Sequence, residues 1–501
     1  MTAIGLELCD VSLQAAENDG AQAVRTLAAP GGSTSLISWP AFIAREGGDF
    51  IYGRAAEGIW HVHPRNVCHN FLEHLSREAS PLSLDGKFLS YSQLGYFFLR
   101  DYAKQSFSNL PDKLVLAVPG AFLKDAATED EKIGLLLGMA QELKWPLAGV
   151  VDLACAALCD PGLPGVHAAW PILVVDVHLD HAELTLFTTS QQLKRLDFLQ
   201  LPQSGFAQLL KQAVTAMGNR FLRHTAFDIL ADGRLEQAFY RQVKDFAFGG
   251  VPEFHFQINT AKRAYEMNAT RDMLLADAQS FVTGLAAAAT GLLRKHGTDV
   301  HACTLALTER ASSIPGLEAR LRHAGLHHVL RLPRGGAALG AARLAADLSV
   351  PADVSDVPVL TAVALEQANL RRGSVWELQL QRAAPAGGRP VPTHVIIDGI
   401  GHPLLGNGTV KIGSPGSGQV DVALPAPFKA TPDCVVQLTR DGGRLWLDES
   451  QLVGARASDS SPPGRLPVEA GDRMIVRVGE IGAELLFATC RSGRGDTAPF
   501  I

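Results

Sequence analysis

The chain has 501 residues, 47% hydrophobic and 19% charged, enough for two to four domains and for a core that needs no disulfide or metal staple. Its 45 basic and 51 acidic residues give a net charge of −6, which argues against a generic nucleic-acid binder or a protein drawn to anionic membranes. Seven scattered cysteines without a C-x-x-C pair fit a reducing, cytoplasmic compartment better than secretion. MTAIGLELCD has no basic n-region, so no signal peptide is expected. The absence of an uncharged apolar run of about 20 residues argues against membrane insertion.

In chain order, Ala3–Leu8, Lys113–Val118, Ile172–Asp176 and Ala182–Phe187 are predicted strands, rich in Val, Leu and Ile. Asp125–Leu143, Gly205–Phe221 and Asp272–Lys295 carry apolar residues at helical spacing. This alternation predicts an α/β domain with helices packed on sheets, over residues 1–368. Residues 369–393 include the Pro/Gly/Ala stretch RAAPAGGRPVP and read as a linker. Residues 394–490 alternate short strands with Gly, Pro and Asp turns. The strands are His394–Asp398, Val420–Leu424, Cys434–Thr439, Arg444–Asp448, Arg473–Val478 and Glu484–Thr489, and the pattern is that of a small all-β sandwich. Residues 491–501 read as a largely polar tail.

Four segments, in order, resemble the nucleotide-binding domain of DnaK-type heat-shock chaperones, within the actin-like ATPase superfamily. Leu114–Leu158 carries a strand ending in Val-Pro (LVLAVPGAF), a long helix and the segment WPLAGVVDLACAAL. Ser38–Leu72 is similar to the family's Pro-containing strand and its approach to a catalytic lysine. Ile172–Phe187 is similar to its second phosphate hairpin. Leu305–Arg343, with SSIPGLEARL and PRGGAALGAARLA, resembles its adenosine segment. The resemblance implies a two-lobed actin-like fold in which two hairpins present backbone N–H groups to the phosphates of Mg-ATP, an acid on each hairpin holding the Mg²⁺. Those acids correspond to Glu7 and Asp176, which would also be the catalytic pair of an active enzyme. Ser204 and Gly205 fall where the family has a Gly-Gly phosphate contact. Lys262 and Arg263, in NTAKRAYE, match residues that flank adenine on a helix of the family.

The phosphate loops depart from that pattern. In the first, Glu7 is followed by Leu8, Cys9, Asp10 and Val11 where the family has Leu-Gly-Thr-Thr. In the second, Asp176 is followed by Val177, His178, Leu179, Asp180 and His181, so its three glycines are gone. Asp10 and Asp180 place carboxylates toward the phosphates. The family lysine falls on Leu72, with His69 and His74 as neighbours. The Gly-Gly of the adenosine segment falls on Glu309 and Arg310, and Asp152-Leu153 stands for Glu-Pro in the lobe-linking helix. Each lost hydrogen bond to a charged group removes about 1.5–3 kcal/mol, which predicts a pseudo-ATPase with the fold kept and hydrolysis lost. No cofactor is expected on that reading; Mg-ATP belongs to the alternative.

The sandwich resembles a forkhead-associated domain around Lys411–Ser414, Asp448–Gly454 and Ala470–Ile475. Ser414 replaces the family's phosphate-binding Arg, and Lys429–Cys434 (KATPDC) lacks the Ser-Arg-x-x-His loop, so protein docking is the better expectation there. His61, His63, Cys68, His69 and His74 read as structural residues rather than a metal site, and Cys155 with Cys159 as small core residues. His178, Asp180 and His181 read as turn residues, with chelation or acid–base chemistry the sharper alternative. The Arg320–Arg331 stretch reads as a solvated helix face. The leading expectation is a hydrolysis-deficient, chaperone-like actin-fold scaffold or regulatory subunit, its partner an intact DnaK-type or actin-like protein. The alternative is an ATP-dependent DnaK-type chaperone with an atypical active site and slow hydrolysis; a third reading is a phosphopeptide adaptor.

Overall fold

The computed structural model describes residues 2–500 except 21–22, 32–35, 79–81, 108, 164–165, 168–170, 190–191, 261–262, 366, 369, 372–376, 384–388, 405–407, 414–419, 426–434, 442, 449–464, 479–480 and 490–500. The chain divides into two compact units, one of Met1–Val166 with Trp170–Arg371, the other of His167–Ala169 with Arg372–Ile501. The first is mixed α/β and the second is built of strands. Among the described residues no helix is long and apolar enough to cross a membrane.

Two sheets organise the first unit, and both follow one plan. In the first sheet, Ala3–Leu8 and Ser12–Asn18 form an antiparallel hairpin; Lys113–Val118 adds parallel to its first strand, and Leu147–Asp152 adds parallel to that. In the second, Ile172–Val177 and His181–Thr188 form the hairpin; Thr304–Leu307 and His328–Arg331 add parallel in the same way. Gln192–Pro202 continues the second hairpin antiparallel. Ala3–Leu8, Ile172–Val177 and Leu147–Asp152 are buried at every position, as expected of central strands covered on both faces. Glu7 and Asp176 are each the fifth residue of a six-residue first strand, so the repeated plan sets both acids beside a hairpin turn.

Helices cover the sheets where the sequence supplies caps and apolar stripes. Asp125 accepts the Thr128 N–H at 2.8 Å and starts the Ala126–Glu142 helix. Ser90 and Gln93 form a reciprocal capping box on Tyr91–Ser106, satisfying two donors that the first turn leaves free. The Gly/Ala-rich Gly336–Asp347 helix packs against the first sheet so closely that a Cβ on Gly5 would meet the Ala338 carbonyl, and one on Gly340 would meet that of Ala156. The small residues of PRGGAALGAARLA are explained by that approach. Leu6, Leu116, Phe98 and Trp39 share one core, while Leu173, Val175, Leu184 and Leu285 share another.

Residues 253–270 differ from the helical resemblance of NTAKRAYE. Glu253–Asn259 and Ala264–Thr270 form a β-hairpin. Phe256, Ile258, Met267 and Ala269 are buried at alternating positions and pack with Phe239 and Phe246 of the Gly233–Phe248 helix. That period of two is the pattern of a half-covered strand.

The second unit contains two five-stranded sheets. Leu378, Val395 and Phe487 of one sheet share a core with Val410, Leu438 and Leu447 of the other, which makes it a β-sandwich. Glu377–Gln381, inside the stretch expected to be a linker, forms a strand paired with Arg473–Val478. Asp472 is fully buried and joins Arg382 and Arg389, each at 3.1 Å. Ser414, Lys429–Cys434 and Glu449–Gly454 lie outside the described residues, as does the predicted tail.

Candidate functional site

The turns of the two hairpins meet at a buried cluster of charges. Arg310 lies at its centre, 9% exposed, with Glu7 and Asp176 each 2% exposed. Its guanidinium grips Asp176 twice, Nε to Oδ1 at 3.0 Å and Nη2 to Oδ2 at 2.7 Å, while Nη1 donates to Glu7 Oε1. Such fork-to-fork contact is among the stronger polar interactions of proteins. Thr308 places the arginine: its Oγ1 accepts the Ala311 N–H, capping the Glu309–Ser313 helix, and donates to Asp176 Oδ1 at 2.7 Å. Burial opposes the charge on Asp176, but Arg310, His178 and Thr308 hold its carboxyl below the usual range. Burial likewise opposes the charge on Arg310, and Asp176 and Glu7 outweigh it.

Two stacked imidazoles extend the cluster. The rings of His178 and His181 lie 4.5 Å apart and 7° from parallel. His178 is fully buried; Nδ1 is 3.4 Å from Asp10, and Nε2 is 3.4 Å from both Asp176 and Glu183. Burial opposes its protonation, yet the charges of Glu183 and Asp176 raise its pKa well above the ordinary histidine value. For His181, burial and the His178 charge are outweighed by Glu183, Glu73 and Asp10, which push it up to about 9. Asp10 is held down at about 2: burial works against its charge, and the His178 and His181 rings and the Leu179 N–H prevail.

The chain's own oxygens take up the backbone donors around these turns. Asp10 accepts the N–H groups of Leu179 at 3.0 Å and Asp180 at 3.3 Å, across the cluster from its own turn. Glu183 accepts those of Gly120 at 2.9 Å and Ala121 at 3.0 Å. The His178 and Leu179 carbonyls accept the N–H groups of Phe206 at 2.9 Å and Ala207 at 2.8 Å, at the start of the Phe206–Thr225 helix. Donors of this kind form anion sites when they face solvent; here each has a protein partner.

Beside Arg310 a cleft of about 340 Å³ is lined by Arg54, Tyr240, Lys244, Phe206, Ser313 and Arg334, among others. A smaller cavity of about 160 Å³ opens on the other side, lined by Asp10, Glu73, His181, Lys124, Lys132 and Gln200, among others.

The structure brings Glu7 and Asp176 together, with Gly205 at the second turn. A Cβ on Gly205 would run into the Leu179 carbonyl, so close packing requires that glycine. Ser204 is directed to the Pro202 carbonyl at 3.4 Å. Arg263 is exposed at the 253–270 hairpin turn, its guanidinium 4.3 Å from the centre of the Tyr265 ring, and does not line the cleft. Lys262 lies outside the described residues. Leu72, at the position of the family lysine, is a core residue 1% exposed. His61 and His69 pair with Glu236 and Asp180, and Cys68, Cys155 and Cys159 are buried free thiols. Asp152 is buried, caps Leu153–Leu158 and meets Arg195 at 2.9 Å.

Glu183 and Glu73 went unmarked in the sequence, and Arg310 was singled out only as standing where the resembled family has a glycine of its adenosine segment. Glu183 stands opposite Asp176 across the hairpin, so register would have found it. A scan against protein-family models finds no match, and no curated protein matches the sequence.

Proposed function

We propose that the first unit is an actin-like, DnaK-type fold whose phosphate site is filled by the protein's own side chains, and that the chain works as a hydrolysis-deficient, chaperone-like scaffold or regulatory subunit. The observation that carries this reading is the Arg310 guanidinium bound to both Glu7 and Asp176. Those are the two acids that, by the resemblance, would hold Mg²⁺. An internal cation neutralises them, while Asp10 takes the N–H groups of the second turn that would otherwise receive a phosphate. The sheets' shared plan, a hairpin with parallel strands added to its first strand, supports the fold. Loss of hydrolysis leaves the unit a platform for a protein partner, which we take to be an intact DnaK-type or actin-like protein. The β-sandwich serves as a second docking module. Five buried free cysteines support a reducing, cytoplasmic setting.

A second reading, an ATP-dependent chaperone with an atypical site, draws on the cleft beside Arg310, lined by Arg54 together with Lys244 and Arg334, which pair with Glu57 and Glu309 of the same cleft. Thermal unfolding of the full chain with and without millimolar Mg-ATP separates the two. A ligand at about 1,000 times its Kd stabilises the native state by roughly 4 kcal/mol. No shift and no phosphate release are expected. A clear rise, with hydrolysis lost in Asp176→Asn, would overturn the scaffold reading.

A further inference from the structure

The smaller cavity has one wall that the function above does not use. His181 is 3% exposed, and its ring is oriented by Glu183, whose Oε1 lies 3.2 Å from Nε2. Glu183 is itself fixed by the Gly120 and Ala121 N–H groups. Nδ1, on the opposite edge of the ring, faces Glu73 Oε1 at 3.4 Å and Asp10 Oδ2 at 3.9 Å, and an ion bound there takes the place of the proton on that nitrogen. Nδ1 is buried and makes no hydrogen bond among the described residues. One donor atom from each of Asp10, Glu73 and His181 lies within 4.8 Å of the other two.

These features have the form of a metal site. A ligating imidazole typically gives its other N–H to a carboxylate, which fixes tautomer and orientation. Mixed imidazole and carboxylate donors suit first-row divalent ions, and the two His181 spacings, 3.4 and 3.9 Å, are within reach of donors about 2.0–2.2 Å from a common centre. Asp10 is held by the Leu179 and Asp180 N–H groups. Lys132 lines the cavity, but its ammonium is bound to the Glu73 and Leu75 carbonyl oxygens, and the Glu73 carboxylate accepts one long hydrogen bond, from Gln200 Nε2 at 3.5 Å. The cavity of about 160 Å³ has room for several waters at roughly 30 Å³ each.

We propose that Asp10, Glu73 and His181 bind a divalent first-row transition-metal ion, with the remaining coordination positions open to water from the cavity. The His178 side of the cluster is enclosed by Asp10, Asp176 and Glu183 and takes no part. This site stands whether or not a nucleotide binds near Arg310.

Calorimetric titration of the full, chelator-stripped chain with ZnCl₂ tests it, with Co²⁺ as a visible-absorbing second probe. One saturable equivalent is expected, together with a cobalt absorption band. Loss of an outer partner of a metal ligand commonly costs about 10–100-fold in affinity, so loss of a ligand itself, in Glu73→Gln or His181→Gln, should weaken Zn²⁺ at least that much. Glu73 sits at the rim with its side chain 23% exposed, so Glu73→Gln carries the test if His181→Gln fails to fold. His255→Ala, on the distant hairpin, should leave the titration unchanged. No saturable heat, or binding that survives in a folded Glu73→Gln, would overturn the site.

Discussion

On one side of the buried cluster Glu7 and Asp176 close on the Arg310 guanidinium; on the other, Asp10 and Glu73 converge on an imidazole whose Nδ1 faces a cavity. The first side is self-sufficient. Both carboxylates have charged partners within the chain, and Thr308 and Cys9 complete the shell. The second is less complete, because Asp10 and Glu73 face a ring nitrogen that makes no hydrogen bond among the described residues, on a ring already held by Glu183. Closure ties the charges beside the Arg310 cleft to one another, whereas two carboxylates and an unbonded ring nitrogen beside the smaller cavity make room for a cation. The two sides lie in one cluster of strand turns, so the difference comes from which side chains were placed there rather than from the fold.

Removing Arg310 should give the largest effect. Breaking a buried ion pair by deleting one member costs about 3–5 kcal/mol, because the remaining charge stays in a poorly solvated site. Arg310→Met is expected to destabilise the first unit by that order in urea unfolding. Adding Glu7→Gln and Asp176→Asn to Arg310→Met should recover much of the loss, since the orphaned charges are gone. If Arg310→Met alone left stability unchanged, the guanidinium would not be holding the turns together, and the proposed filling of a phosphate site by the chain's own side chains would fall with it.

Asp10→Asn comes next. The amide retains one oxygen acceptor but cannot serve both the Leu179 and Asp180 N–H groups as the carboxylate does, and it removes a charge facing His178 and His181. A loss of about 1–3 kcal/mol follows from leaving a buried donor unsatisfied. Glu73→Gln should be milder, of the order of 0.5 kcal/mol for a partly exposed position, while sharply reducing Zn²⁺ affinity. Those two melts, beside one metal titration, separate a carboxylate that holds the turn from one that also serves the cavity.

Much of the fold was legible in the sequence. Ala3–Leu8, Lys113–Val118 and Arg444–Asp448 fall on their predicted bounds, because a short run rich in Leu, Ile or Val between turn residues has few other homes. Gln192–Pro202 went unread: its charged, half-exposed residues blur both periods. The 253–270 hairpin carried a readable alternation of Phe254, Phe256 and Ile258, which the resemblance of NTAKRAYE to a helix obscured. The site was legible in its acids and in the pair His178 and His181, but not in the cation that joins the acids. Glu7 and Asp176 stand at strand ends that a resemblance can align, but Arg310 reaches Glu7 across 303 residues of sequence. Nothing local marks it as the cation between them. Asp10 was expected to repel phosphates; the structure instead turns its carboxylate onto the backbone donors of the opposite turn.

The smallest expected effect serves as a reference for the buried pairs. Asp197, on the Gln192–Pro202 strand, meets His296 at 2.6 Å and Lys295 at 2.7 Å, at the C-terminal end of the Arg271–Lys295 helix, where positive charge also favours the helix dipole. Burial works to raise its pKa, but His296, Lys295 and the Phe198 N–H together outweigh it and bring it down to about 2 from 3.8. A folded value below the unfolded one means that the pair stabilises the protein above pH 3.8 and that this contribution is lost as the pH falls through about 2. Melts of the wild type and Asp197→Asn between pH 2 and 6 should therefore differ by only a degree or two near neutrality, as for partly exposed pairs worth about 0–1 kcal/mol, and should converge at the acid end. A gap that persisted at pH 2 would assign the effect of Asp197 to packing rather than charge. A gap at pH 6 as large as that of Arg310→Met would remove the contrast between solvated and enclosed ion pairs on which the closed side of the cluster rests.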